Sequence, residues 1–403
     1  MLRSLFSGIS GLRSHQTMLD VTGNNIANVN TTGFKTSQVQ FQDTLSQVLQ
    51  NAGGAQDGTG GTNPAQVGLG VRVAGITTNF TQGPTQTTGR STDMMISGDG
   101  FFVVRRGNET FFTRAGSFDF DAIGQMVLPG DGALVQGWAA VDGVIDATGP
   151  LVDLRVPAGS LMSALATTSA GFEGNLDTGA DAVSPITRSI PVFDAAGNER
   201  RLDLEFTKTG AGWSLRASDD GGATWTDYDA DGAGTSALLS FDPATGALTS
   251  PAVLTVGGVQ VDLSAITGFA DVDTVKAVTQ NGHGAGTLTS FALGADGTLT
   301  GSFSNGLKQV IGRLAMASFT NPSGLEKAGG SLLRTTVNSG VVQLGAPGTG
   351  GRGTLAGGYL EGSNVDLSSE FTSLIVAQRG FQANSRVITT SDEVLQELVN
   401  LKR

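Results

Sequence analysis

Residues 2–33 read LRSLFSGISGLRSHQTMLDVTGNNIANVNTTG. Leu5, Leu12, Leu19 and Ile26 recur every seven residues, and Leu2 and Ile9 begin a second seam that Gln16 and Gly23 interrupt. Apolar residues at this period form a stripe along one side of a helix. The spacing predicts a helix from Ser4 to Asn28, about 37 Å long at ~1.5 Å per residue. The run Asn28-Val29-Asn30-Thr31-Thr32-Gly33 stops it. Asn and Gly accept left-handed backbone, and Asn and Thr side chains compete for backbone hydrogen bonds.

The other end mirrors this. In residues 364–399, NVDLSSEFTSLIVAQRGFQANSRVITTSDEVLQELV, a seam of Leu367, Leu374, Phe381, Ile388 and Leu395 recurs every seven residues. A second seam, Phe371, Gln378, Ser385, Asp392 and Val399, is apolar only at its ends. Asn364 or Asp366 caps the start, with Glu370 in the first turn. Each stripe alone is too narrow for a globular core. Pairing the two helices as a coiled-coil-like inner domain, or packing them against other copies, buries both stripes. Two ordinary amphipathic surface helices fit the same spacing. The seam expected to drive polymerisation is Leu5, Ile9, Leu12, Leu19 and Ile26 with Leu367, Phe371, Leu374, Phe381, Ile388 and Leu395.

Between the helices the period falls to two. Val71, Val73 and Ile76, then Phe101 and Val103, Phe118 and Phe120, and further on Leu202, Leu204, Phe206, Trp213 and Leu215, read as strands. Turns such as Gly98-Asp99-Gly100, Asp296-Gly297 and Asn305-Gly306 punctuate them. The fold class is therefore mainly β with α-helical termini. Gly makes up 60 of 403 residues; seven fall in 51–70 and seven in 345–358, which read as matched flexible joints at one neck. Residues 151–283 hold 17 acidic and 7 basic residues, nearly all of the chain's formal charge of −12. The expected organisation is nested: helical core 1–30 plus 361–403, connecting segments 31–70 plus 345–360, a discontinuous inner β domain 71–150 plus 284–344, and an inserted acidic outer β domain 151–283.

Composition excludes much chemistry. With no Cys there is no disulfide, thiol nucleophile or cysteine-held metal, and with two His, His15 and His283, most zinc and Ser-His-Asp chemistry is improbable. The net negative charge argues against nucleic acid and anionic membranes as partners. No run of 18 apolar residues occurs, and the first fifteen residues lack the apolar core of a cleaved signal peptide. Asp227, Asp229, Asp231 and Gly232 match the front of a calcium-binding loop, but its twelfth position is Leu238 where a bidentate Glu is needed, so an acidic turn is expected. Residues 218–225, SDDGGATW, resemble the Asp-box of sialidases, a turn whose Ser and Asp bond its own backbone. It occurs once, without an Arg cluster or a Tyr nucleophile. No acid–base pair stands out, so the chain reads as no enzyme, with no cofactor and no metal.

Two segments resemble a known family. Residues 19–35, LDVTGNNIANVNTTGFK, are similar to the N-terminal signature of bacterial flagellar rod and hook proteins. Residues 361–367, EGSNVDL, and 375–384, IVAQRGFQAN, are similar to their C-terminal signature. The matching positions are Asn24, Asn25, Ile26, Ala27, Asn28, Gly33 and Phe34, then Asn364, Val365, Asp366, Ala377, Gln378 and Arg379. Within the family the hook members are nearest, through residues 67–73, 98–102, 279–283 and 296–306; the resemblance is weak over 151–283. It implies a structural subunit that polymerises into a curved tube joining rod to filament and transmits torque as a universal joint. The implied partners are further copies of the chain, a distal rod protein, a hook cap, a hook–filament junction protein and the flagellar type III export apparatus. The implied location is extracellular, in the flagellar hook, after export without a cleaved signal. A distal rod or junction protein is the alternative; a secreted carbohydrate-active or calcium-binding protein is the remote one.

Overall fold

The computed structural model describes residues 2–54, 60–141, 143–156, 159–179, 184–209, 212–228, 237–250 and 252–400. The architecture is mainly β with a helix at each end. Helix α1 spans Leu2–Ala27 and helix α2 spans Leu367–Asn400. Asp366 caps α2: its Oδ1 accepts the amide of Ser368 at 2.9 Å. Asn364, the alternative cap, is engaged elsewhere. No described helix is long and apolar enough to cross a membrane.

The chain divides into two compact units, Met1–Pro157, Phe291–Thr300 and Val310–Arg403 in the first, Ala158–Ser290 and Gly301–Gln309 in the second. In the first unit, β1 (Ser37–Asp43) and β2 (Ser46–Gln50) run out along one arm of a ribbon. β3 (Ala65–Gly68) and β4 (Val71–Thr78) return antiparallel to them. The Gly-rich segment 51–70, expected as a joint, thus includes β3 and a bridge between Gly53 and Thr62 that continues the ribbon. Residues 345–358 are likewise knitted into structure: Thr354–Gly357 pairs with Met94–Ser97, and the Gly353 amide donates to Asp99 O at 2.7 Å. Many of these glycines therefore sit in turns and tight strand contacts and do not form a slack linker.

The core of the first unit is built around Phe101–Arg106. Phe102 and Val104 enter one cluster with Met94, Phe118 and Met126. Phe101 and Val103 enter the other with Phe112, Trp138 and Phe319. The run Phe101-Phe102-Val103-Val104 is apolar at every position because the strand is covered on both faces. Each such side chain taken out of water contributes roughly 1.5–3 kcal/mol.

The second unit packs two sheets around one core. One sheet contains Ile186–Phe193, Glu199–Thr209 and Gly212–Ser218, with Thr226–Tyr228 and Ala237–Leu239 at its edge. The other orders Val253–Val256, Val259–Thr267, Ser169–Asn175 and Lys276–Gln280, with Ser169–Asn175 parallel to Val259–Thr267. Leu202, Leu204 and Phe206 alternate inward against Phe172, Val261 and Leu263.

Acid-facing turns close this unit. Asp194 is held below the usual carboxylate range by the Asn198 side chain and backbone amides, and Asp220 by Ser218 and Thr224. Asp242 is held down by the Ala244 amide and the Thr245 hydroxyl, and Asp262 by Ser264. A carboxylate depressed below 3.8 in the fold adds stability that is present above that value and lost as pH falls through the folded-state value. Thermal melts followed by tryptophan fluorescence, with Trp213 and Trp225 in this unit, are expected to be level from neutrality to about pH 5 and to fall below about pH 4. A melting temperature unchanged down to about pH 2 would contradict this role for the turns.

Candidate assembly surface

The helices pack antiparallel. Gly8 of α1 faces Asn384, Val387 and Ile388 of α2, His15 faces Gly380, and Asn25 meets Glu370. The contact is made by small and polar residues. Gly8, Gly11, Ser14, Thr22 and Asn25 are buried on α1 and Ala377 is buried on α2. A Cβ placed on Gly11 would lie 2.5 Å from Asn384 Oδ1, and one on Gly380 would lie 2.5 Å from the His15 ring. Glycine here costs about 0.5–1 kcal/mol of helix propensity per residue relative to Ala, and it leaves room for the Asn384 and His15 side chains of the facing helix.

This changes where the expected seam sits. Leu5, Ile9, Leu12, Leu19 and Ile26 flank the contact, half-buried, as do Leu374, Ile388 and Leu395. Leu367, Phe371 and Phe381 lie open, with Phe371 50% exposed. The inward row Gly8, Gly11, His15, Met18, Thr22 and Asn25 keeps heptad spacing, but with residues no hydrophobic pattern would pick. Consequently α2 presents Leu367, Phe371, Ile375, Val376, Val387, Val394 and Leu398 to solvent. Leu367, Phe371 and Ile375 lie along one side of the helix, and exposed apolar side chains grouped in this way mark an interaction surface.

Most of the signature residues gather where the helix ends meet the strands of this unit, while Ala377, Gln378 and Arg379 lie further along α2. The Asn25 amide mimics a strand partner: Nδ2 donates to Ser37 O at 2.8 Å, and the Ser37 amide donates to Asn25 Oδ1 at 3.1 Å. Asn25 Nδ2 also donates to Glu370 Oε1 at 3.1 Å, so one side chain ties both helices to the ribbon. Asn28 Nδ2 donates to Asn24 O at 2.9 Å, and its Oδ1 accepts from Thr31 at 3.0 Å, which closes the helix end. Gly33 has φ 68 and packs onto the backbone of Arg114 and Ala115, where a Cβ has no room. Asn364 accepts the Thr36 amide at 2.8 Å and donates to Asn79 O at 2.9 Å. The remaining signature positions divide: Ile26, Phe34 and Val365 are half-buried, while Ala27, Gln378 and Arg379 are exposed.

Between these lies a buried charge cluster that no sequence pattern pointed to. The Glu361 carboxylate, 0% exposed, takes Lys35 Nζ at 2.6 Å and Arg114 at 3.3 Å, and accepts the Gly83 amide at 2.9 Å. Lys35 Nζ also donates to Thr81 O at 2.7 Å. Burial pushes the Lys35 ammonium below its ordinary pKa, against the pull of Glu361; burial lowers Arg114 in the same way. Residues 35, 114 and 361 come from three distant stretches, so their only sequence signal was Lys35 and Glu361 falling inside the signature segments.

The other candidates stay local. In the Asp-box-like turn, Ser218 donates to Asp220 Oδ1 at 2.6 Å, and the Ala223 and Thr224 amides donate to the same oxygen at 2.9 Å. The side chains serve their own turn, with Arg216 stacked 5.0 Å from the Trp225 ring. Asp229, Asp231 and Gly232 of the calcium-loop motif lie outside the described residues, and Asp227 is an exposed strand residue. His283 Nδ1 lies 3.2 Å from Gly284 O. Among the described residues no group of three His, Cys, Asp or Glu is placed to hold a metal.

Comparison with known proteins places this geometry. Family models match at residues 5–35 (flagella basal body rod protein), 95–170 (flagellar hook protein FlgE/F/G D1 domain), 167–283 (flagellar basal body protein FlaE D2 domain) and 356–401 (flagellar basal body rod FlgEFG protein C-terminal). The match over 167–283 corrects the expectation that the resemblance fades there. The flagellar hook protein FlgE of Borreliella burgdorferi is 40% identical over 442 aligned residues, and that of Treponema pallidum 39% over 466, each with 100% of both chains covered. The flagellar basal-body rod protein FlgG of Bacillus subtilis is 34% identical, also with 100% of both chains covered. The crystal structure of Helicobacter pylori flagellar hook protein FlgE2 is similar in fold, with a TM-score of 0.53 and 16% identity, over 68% of this chain and 100% of that one.

The charge cluster gives a direct test. Glu361→Gln leaves Lys35 and Arg114 buried without a counter-charge, a change expected to destabilise the chain by about 3–5 kcal/mol. Urea unfolding of the two proteins measures it. A loss below about 1 kcal/mol would mean that the cluster does not hold the neck together.

Proposed function

The chain belongs to the flagellar hook protein FlgE family, and from that premise we propose how its parts divide the work. As in its family, the chain is a structural subunit of the flagellar hook and not an enzyme. Helices α1 and α2 form the inner wall of a tube of repeated copies. The half-buried leucines of α1 and the open apolar face of α2 are the surfaces through which copies meet. The β parts of the chain slide past those of neighbouring copies, which lets the tube bend while it transmits torque.

The observation that carries this reading is the division of labour on α2. Its small residues, Ala377 and Gly380, face α1 of the same chain, while Phe371 and Ile375, each 50% exposed, face away. A chain designed to remain single would cover those two side chains or replace them with polar ones. The further partners are a distal rod protein below, a cap and a hook–filament junction protein above, and the type III export apparatus that delivers the subunit outside the cell without signal cleavage. In this division residues 1–30 plus 361–403 act as the inner core.

Phe371→Ser with Ile375→Ser is expected to abolish tube formation, seen by electron microscopy, while unfolding free energy of the single chain changes by no more than about 0.5 kcal/mol per site. Deleting residues 367–403 is expected to stop assembly as well, with strand Tyr359–Glu361 and the β units retained. Tubes formed by either protein would overturn the inner-wall assignment.

A further inference from the structure

Beside the buried Glu361 lies a cavity of about 220 Å³, lined among others by Phe34, Lys35, Phe80, Arg114, Lys327 and Leu333. Among the described residues no carboxylate lines it. Lys35 and Arg114 share the single charge of Glu361. Lys327 Nζ lies 4.9 Å from the Phe34 ring centre and donates to Ser37 Oγ at 2.9 Å, with no carboxylate within ion-pair distance among the described residues. Its neighbour Glu326 is taken by Arg334 at 2.8 Å. Arg114 is nearly fully buried, yet its Nε has no hydrogen-bond acceptor. Lys35, Arg114 and Lys327 thus stand against Glu361, with Asp99 acting on Arg114 from outside the cavity lining, within a chain whose formal charge is −12.

We propose that this cavity receives a carboxylate side chain from a second copy of the chain, with Lys327 as its principal contact. The proposal rests on the reading of the chain as a polymerising subunit and names one contact of that assembly. Charge complementarity selects the occupant. Copies of an acidic chain repel one another, and a cationic recess with apolar walls is where that repulsion turns to attraction. Lys327 itself is exposed, so an incoming carboxylate can reach it, and the apolar walls beside it reduce the screening of that pair.

The test uses full-length chains, half of them labelled with heavy nitrogen and mixed before assembly. Tubes are treated with a carbodiimide, which joins an amine to a carboxylate with loss of water and no spacer. Mass spectrometry is expected to find Lys327 of one label joined to an Asp or Glu of the other. Lys327→Glu is expected to slow tube growth about tenfold at low salt, and Lys327→Arg to leave it near the parent rate. Normal tubes in which Lys327 links only within its own label, or not at all, would overturn the proposal. So would Lys327→Glu growing at the parent rate. If the parent chain forms no tubes under any condition, the assembly reading fails and this contact fails with it.

Discussion

The structure depends on keeping one carboxylate dry. Glu361 sits at 0% exposure between Lys35 and Arg114, in the strand segment that leads into α2. Taking three charges out of water is costly, and the cluster persists because Glu361 pairs with Lys35 and Arg114 and accepts the Gly83 amide, while Lys35 also donates to Thr81 O. Its members come from the loop after α1, from the inner β core and from the segment before α2. One interaction therefore joins three stretches that the chain separates by long excursions.

From that anchor the helices acquire their direction. Asn25 bonds both Ser37 and Glu370, so the end of α1 and the start of α2 leave the neck side by side. Small residues then let the backbones run close, with Asn384 over Gly11 and His15 over Gly380. Close packing within one chain through glycine leaves the large apolar side chains pointing outward. In the proposed reading, stability of the subunit and its capacity to assemble fall to different faces of the same two helices.

Much of the fold was legible in the residues. The heptad rows announced both terminal helices, and the alternation of Leu202, Leu204 and Phe206 announced strands with one inward face. The Asn and Gly run after α1 was legible as a stop, and the Asp-box-like turn as a locally bonded one. The Gly-rich segments were ambiguous, because composition cannot distinguish a slack linker from a ribbon or a tight strand crossing. Phe371 was equally ambiguous: period places a side chain on a helix face, but cannot say whether the partner is the same chain or another.

By itself the sequence determined the helical ends, the β interior, the absence of thiol chemistry and the family to which the signature segments point. Those follow from local spacing and from residue types, which need no knowledge of the rest of the chain. The tertiary structure alone decided that glycine and asparagine, and not leucine, line the helix contact, and that Lys35, Arg114 and Glu361 share one buried site. Both are consequences of long-range approach, where burial and pairing depend on residues hundreds of positions apart, and no local period records them.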